Sequence, residues 1–374
     1  MNFSILTEVL LNNLLIAQKA LSTRTPAPYL QGIKLEVYPK EIVMITSNSD
    51  ISIKLSIKDE SLEVQTTGEI LIPGKFFVDI VRKLDSEKTK LSTIENNVLR
   101  IEAGNSDVTL NLLNVEDYPE LDFVLNDNPI KLDSKVMKSI IRQTTFATSA
   151  IENRPILTGV NIRVEGEKLV AISTDSFRLS QKVIDIPKNF ENMNVVIPGR
   201  SLDELFKILE MNLDEILIHL DHKSILFEYG NVLFQSRLLD GNFPETSRLI
   251  PVEFPIIIKF NKHDLFEAID RASLLSQKDG STSIVKLQLR SDSQVEITSN
   301  SPEIGKVIEE IFPIEKAVGI PIKIAFSSKY FMDALKTFNS DDVYVKFTGE
   351  IRPFVIEGDE DPGLIQLILP VRTE

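Results

Sequence analysis

At 374 residues the chain is longer than one typical domain and suits two or three, each with a core of its own. It has no cysteine, which excludes disulfides and thiolate metal sites. The formal charge of -14 argues against a nucleic-acid partner for the surface as a whole. It leaves room for a local basic face, because screening acts over about 8 Å at physiological salt.

The opening "MNFSILTEVLLNNLLIAQKAL" has neither the basic start nor the small-residue cleavage site of a signal peptide, and its spacing predicts an amphipathic helix over 3–21. No apolar run approaches the roughly 20 residues that span a bilayer, so a cytoplasmic protein without a membrane partner is expected.

Further along, the chain repeats itself. "IVMITSNSD", "LVAISTDSF" and "VEITSNSPE" place Thr46, Ser173 and Thr298 at intervals of 127 and 125 residues. A second triplet follows in the same order: "ILIPGKFFVDIVRKL", "VVIPGRSLDELFKIL" and "IKIAFSSKYFMDALKTF". It aligns Gly74, Gly199 and Ser328, each followed by a basic residue, Lys75, Arg200 and Lys329. Each of these segments switches from strand to helical spacing at the small residue. Apolar-periodic stretches at 3–21, 134–147 and 262–276 open the three units. Alternating runs such as "EIVMITS", "DISIKLSIK", "KLVAIST" and "EILIHLD" predict strands. The clusters "NSD", "EGE" and "SDSQ", and the pairs Asp240-Gly241 and Asp279-Gly280, predict turns.

The fold class is therefore α+β: three similar domains, each with two helices on largely antiparallel sheets. The polar or proline-bearing connectors "VLNDNPIKLDS" and "RLIPVEFP" put the domains at 1–125, 126–251 and 252–374.

The six predicted helices carry thirteen basic and nine acidic residues, so the excess acid lies elsewhere in the chain. A protein that turns its helices toward a polyanion shows this segregation, although Lys and Arg also favour exposed helix faces for their propensity alone.

No catalytic constellation emerges. Neither a G-x-x-x-x-G-K-[ST] cradle nor a G-x-G-x-x-G turn occurs. His219 and His222 stand three apart in "IHLDHK", a spacing that sends them to opposite faces of a strand, and His263 starts a helix without an acid-base partner. The run Asp359, Glu360, Asp361 in "EGDEDPG" lacks the alternation of a calcium loop and reads as a solvated turn. No enzyme, no catalytic or metal-ligating residue and no cofactor is expected; the chain binds.

The threefold repeat, "TDSFRL", "GNFP" with an arginine soon after, "IRPFVI" and the closing "LILPVR" together resemble, over the whole chain, the bacterial DNA sliding clamps, the DNA polymerase III beta subunit. The resemblance implies a processivity factor. Two chains would close head to tail into a ring, each forming half, with helices lining a hole for duplex DNA. It also implies an apolar pocket between the second and third domains that receives short peptides. That pocket would comprise Leu157; Thr174, Ser176, Phe177, Arg178 and Leu179; Pro244, Arg248 and Leu249; Ile351 and Pro353; and Leu367, Ile368, Leu369, Pro370, Val371 and Arg372. Many members of the family have Gly where Ser176 stands. Family positions for DNA fall on Arg24, Lys75, Arg154 and Arg200, to which the helix argument adds Arg142 and Lys207. Dimer contacts fall on Val108 and Leu110 and on Leu274 and Leu275. The implied partners are duplex DNA without regard to sequence, the replicative polymerase, the clamp loader, other replication and repair proteins, and a second copy. The competing readings are a carboxylate-dependent hydrolase of a nucleic-acid substrate and a peptide-binding scaffold without a DNA role.

Overall fold

The computed structural model describes residues 1–22, 27–151, 153–186, 193–209, 215–276, 278–279 and 282–372. Six α-helices occur among them: α1 (Thr7–Ala17), α2 (Gly74–Val81), α3 (Ser134–Thr144), α4 (Gly199–Leu209), α5 (Lys262–Ser273) and α6 (Ser328–Leu335). They fall two to each repeat. Every strand pairing among the described residues is antiparallel, as the sequence predicts.

Local chemistry explains the helices. The side chain of Asn261 accepts from the N–H groups of His263 and Asp264, starting α5. Leu265, Ala268, Ile269 and Ala272 then give it one buried face. Gly74 and Gly199 are the first residues of α2 and α4, where the predicted switch occurs. A Cβ on Gly74 would lie 2.6 Å from Leu21 Cδ1, and one on Gly199 would lie 3.1 Å from Thr148 Oγ1. The small residue is thus required because the chain after the repeat's first helix passes against the start of its second.

The hydroxyl triplet also has a physical role, with one correction. Thr46 Oγ1 donates to the Ala17 carbonyl at 2.8 Å, and Ser173 Oγ to that of Thr144 at 2.5 Å. In the third repeat the donor is Ser299, not the aligned Thr298, and it reaches the Ala272 carbonyl at 2.6 Å. Each hydroxyl satisfies a carbonyl near the C-terminus of its repeat's first helix. Because side chains alternate along a strand, matching the "TS" letters instead of the buried face shifts the third position by one.

The start of the chain also departs from expectation. Residues 3–21 are not one helix: Asn2–Leu6 is a strand, paired with Glu63–Thr66 and Lys88–Ile94, and α1 begins at Thr7. Phe3 and Ile5 are buried while Asn2, Ser4 and Leu6 are half-buried, the period of two that a sheet imposes.

Two compact units result. The first holds residues 1–137 and 201–238, the second residues 138–200 and 239–374. In the first, an eight-stranded sheet joins halves from adjacent repeats where Val232–Arg237 pairs with Ile51–Ile57. A five-stranded sheet in the same unit ends at Ser106–Asn111. In the second unit, another eight-stranded sheet joins the second and third repeats through Arg178–Asp185 and Leu364–Ile368. A further five-stranded sheet there has Gly305–Ile311 as its outer strand. Beneath these sheets the third repeat's core is aromatic: Phe326 lies 4.7 Å from Phe331 and 5.4 Å from Phe354, ring centre to ring centre. The turn signals at Ser49, Gly166 and Gly241 all hold positive φ, and Gly280 falls outside the described residues.

Candidate functional site

The candidate pocket lies wholly within the second unit, and its frame is the C-terminal strand. Leu179 sits opposite Leu367 and Arg178 opposite Ile368 in the ladder. Past the strand the backbone stays anchored: the Leu369 N–H donates to the Phe177 carbonyl at 2.9 Å, and the Val371 N–H to that of Ala325 at 2.7 Å. Leu369 is 36% exposed, Pro370 and Val371 are half-buried, and Arg372 is exposed.

The loop that faces this tail is set by Asp175, whose Oδ1 accepts from the N–H groups of Phe177 and Arg178 at 2.9 and 3.0 Å. Ser176 then takes φ 77°, the left-handed region that favours glycine. Phe177 is thereby turned outward, 59% exposed, and stacks on Tyr330 with ring centres 6.4 Å apart. Tyr330 was not foreseen; its spacing on α6 gives no hint of an aromatic partner 153 positions away.

Arg178, expected in the pocket, is engaged from several sides. Its guanidinium donates to Asp175 at 3.0 Å, to Asp333 at 2.9 Å and to the Phe146 carbonyl at 2.7 Å. It also lies over the rings of Phe146 and Tyr330. With its donors so engaged and its surface buried, it ties the loop to α6 and to the chain after α3. Ile368 belongs to the third repeat's core, along with Leu364.

Leu179 and Leu367 form a small cluster with Val170 and Ile172, against which Phe243 and Ile250 pack. That contact fixes both ends of the segment from which Pro244, Arg248 and Leu249 project into solvent. Leu157 and Thr174 are buried, Ile351 is exposed and Pro353 half-buried. Of the expected set, Phe177, Leu249, Ile351 and Leu369 offer substantial apolar surface, with Pro353, Pro370 and Val371 at its margin.

A buried polar junction behind the strand was missed. Asp361 is 2% exposed and accepts from the N–H groups of Asn339 and Ser340, the Ser340 hydroxyl, and the side-chain amides of Asn339 and Gln143, at 2.8 to 3.0 Å. The reading of "EGDEDPG" as a solvated turn therefore fails for Asp361, because folding aims five donors at it. Gln366 donates to the Gln143 carbonyl at 3.1 Å and to Thr337 Oγ1 at 3.0 Å. Lys182 donates to the Pro362 carbonyl at 2.8 Å; burial pushes its pKa below the ordinary value, partly offset by the charge of Asp361.

Of the residues expected at DNA, Lys75 on α2, Arg142 on α3, Arg200 and Lys207 on α4, and Arg154 ahead of the turn Pro155–Thr158 are all exposed. Arg142 donates to Asn339 at 2.5 Å, and Lys207 pairs with Glu204 at 2.6 Å. Arg24 lies outside the described residues. Among the histidines, His219 is buried in the first unit, accepting from the Asn126 N–H at 2.8 Å and bonded to Glu228 at 3.0 Å, while His222 lies just beyond the strand. Among the described residues no group of three or more His, Cys, Asp and Glu could hold a metal ion.

Val108 and Leu110 share one face of Ser106–Asn111, the edge strand of the first unit's five-stranded sheet, and both are half-buried. In the second unit Leu274 is 75% exposed just past α5, and Leu275 is half-buried. The edge strand Gly305–Ile311 adds surface that the sequence reading did not pick out: Ile308 is 52% exposed, with Ile304 and Phe312 exposed at its ends.

Three family models match the chain: DNA polymerase III beta subunit, N-terminal domain, over residues 1–122; central domain, over 131–245; and C-terminal domain, over 247–372. The Beta sliding clamps of Staphylococcus epidermidis and Staphylococcus aureus are 42% and 41% identical to it, each covering 100% of both chains. The crystal structure of the DNA polymerase sliding clamp from Bacillus subtilis superposes with a TM-score of 0.95 at 40% identity, covering 100% of both chains. That of the DNA polymerase III beta chain from Streptococcus pneumoniae does so with a TM-score of 0.95 at 36% identity, again over 100% of both chains. The hydrolase and DNA-free scaffold readings are left without support. With three consecutive helix-pair repeats, antiparallel sheets shared between them and likeness along its whole length, the chain belongs to the DNA polymerase III beta subunit family, the sliding clamps, and is a non-catalytic DNA polymerase processivity factor.

Proposed function

We propose that two copies of this chain close head to tail into a ring that encircles duplex DNA and holds partner proteins through the apolar surface around Phe177 and Leu369. The observation that carries the pocket is the anchored tail: two backbone hydrogen bonds hold the residues after the last strand, so the apolar surface there is ordered. Two or three Leu- or Phe-sized anchors at about 1.5–3 kcal/mol each, less ordering costs, suit an affinity on the order of micromolar. Such affinity allows partners to exchange, and they would include the replicative polymerase, the clamp loader and repair proteins in the cytoplasm.

On this reading Lys75, Arg142, Arg154, Arg200, Lys207 and Arg24 touch phosphates and not bases, since a sliding ring tolerates every sequence. The domain limits are 1–125, 126–251 and 252–374, with each eight-stranded sheet crossing one of them. The edge strand carrying Val108 and Leu110 in one copy meets Ile308 and Leu274 in the other, a heterologous contact that closes after two subunits.

The experiment is retention on nicked circular plasmid after loading, followed by cutting the circle. Release on linearisation is expected. Equal retention on both forms, or none on either, sinks the ring.

A further inference from the structure

We propose that a cleft beside the apolar pocket takes an acidic extension of the same partner peptides, so that carboxylates flank the apolar anchor; the inference rests on the peptide-pocket reading above. The cleft measures about 670 Å³ and lies between the connector at 248–255 and the turn at 348–353. Two exposed guanidinium groups, Arg248 and Arg352, line it, and neither makes an ion pair among the described residues. Several exposed arginines of this acidic chain are paired, Arg100 with Asp107, Arg271 with Glu309 and Arg290 with Glu296; Arg248 and Arg352 stand together in one cleft without such a partner among the described residues. Among the described residues of the lining Glu253 is the one carboxylate. A pair of unneutralised guanidinium groups is matched by carboxylates, which they bind through two parallel donors.

The remaining wall tells which kind of anion fits. Val252, which is almost fully exposed, and Phe254 stand in the lining with Pro251 and Pro255, an apolar surface suited to a peptide's side chains and ill suited to a hydrated phosphodiester backbone. Leu249 and Pro353 line the cleft and also belong to the pocket set, so the two surfaces are continuous. A peptide leaving the anchor site on that side passes the arginines.

The test uses the full-length protein and fluorescein-labelled peptides with a Leu-Leu-Phe anchor, bearing Asp-Glu-Asp or Asn-Gln-Asn on either side. The acidic form is expected to bind about fivefold more tightly at low salt, with the advantage shrinking as ionic strength rises. Arg352→Gln should remove most of that advantage while leaving the amide peptide's affinity unchanged. Equal binding of acidic and amide forms, or an advantage that persists in Arg352→Gln, overturns the acidic extension and leaves the pocket standing. Failure of every anchored peptide to bind overturns both. Displacement of the acidic peptide alone by a 20-base-pair duplex of about the same concentration would reassign the cleft to phosphate.

Discussion

Leu369 donates its backbone N–H to the carbonyl of Phe177 at 2.9 Å, so the tail after the last strand and the exposed aromatic of the "TDSFRL" loop are held as one surface. Removing residues 370–374 deletes the second tether, from Val371 to Ala325. The anchored peptide should then bind about tenfold or more weakly, the equivalent of one apolar contact of roughly 1.4 kcal/mol. Mass in solution should stay at that of the full-length assembly, which separates loss of the pocket from loss of the fold.

Ser176 holds a left-handed backbone without the freedom of glycine. Ser176→Gly should raise stability by about 0.5–1 kcal/mol, the relief of a side chain at positive φ less the extra entropy of the unfolded glycine. Ser176→Val should lower stability, because a β-branched residue tolerates this region least. Urea denaturation of both variants reads the sign directly.

The junction around Asp361 should be the most sensitive polar position behind the pocket. Asp361→Ala strands the N–H groups of Asn339 and Ser340 and the Gln143 amide, and should cost about 3 kcal/mol of stability. Lys182 gives a pH signature. Its pKa is lowered in the folded chain, so as pH rises from that depressed value toward the ordinary 10.5 the unfolded state holds more protons than the folded one. Stability contributed through this group therefore rises with pH across that window. Relative to Lys182→Met, the wild type should gain unfolding free energy on going alkaline; a constant difference would refute the assignment.

Lys75 and Arg200 occupy matching places after the first residue of α2 and α4. If both touch phosphate, changing either to Ala should lower the slope of log affinity against log salt by about 1, equally for two unrelated duplex sequences. A loss confined to one sequence would mean base contact instead.

Ile308 presents an apolar side chain from a strand paired on one side only. Ile308→Asp should convert a species of twice the chain mass into one of single mass, with an unchanged circular dichroism spectrum. Retention of the double mass would remove this edge from the dimer contact.

Much of the fold is legible in the sequence because its signals are local. The strand Ile51–Ile57 stands in its alternation, and the starts of α2 and α4 in a glycine that sterics demand; Glu41–Ser47 and Lys168–Thr174, read as alternating, are instead apolar runs buried on both faces. The threefold repeat, and with it the family, follows from the order of these signals. Other features depend on partners far away in the chain and leave no local mark. The ion pair of Arg178 with Asp333, 155 positions on, has no trace in the residues around either. Asp361 reads as solvated until Gln143, 218 positions earlier, reaches it. Even Ser299 is distinguished from Thr298 only by which face of the strand meets α5. The sequence by itself determined the repeating unit, since periodicity and backbone sterics act over a few residues. Only the tertiary structure decided which polar side chains build the pocket's frame and which remain free for a ligand, since hydrogen-bond satisfaction in a buried junction is settled by what packing brings within 3 Å.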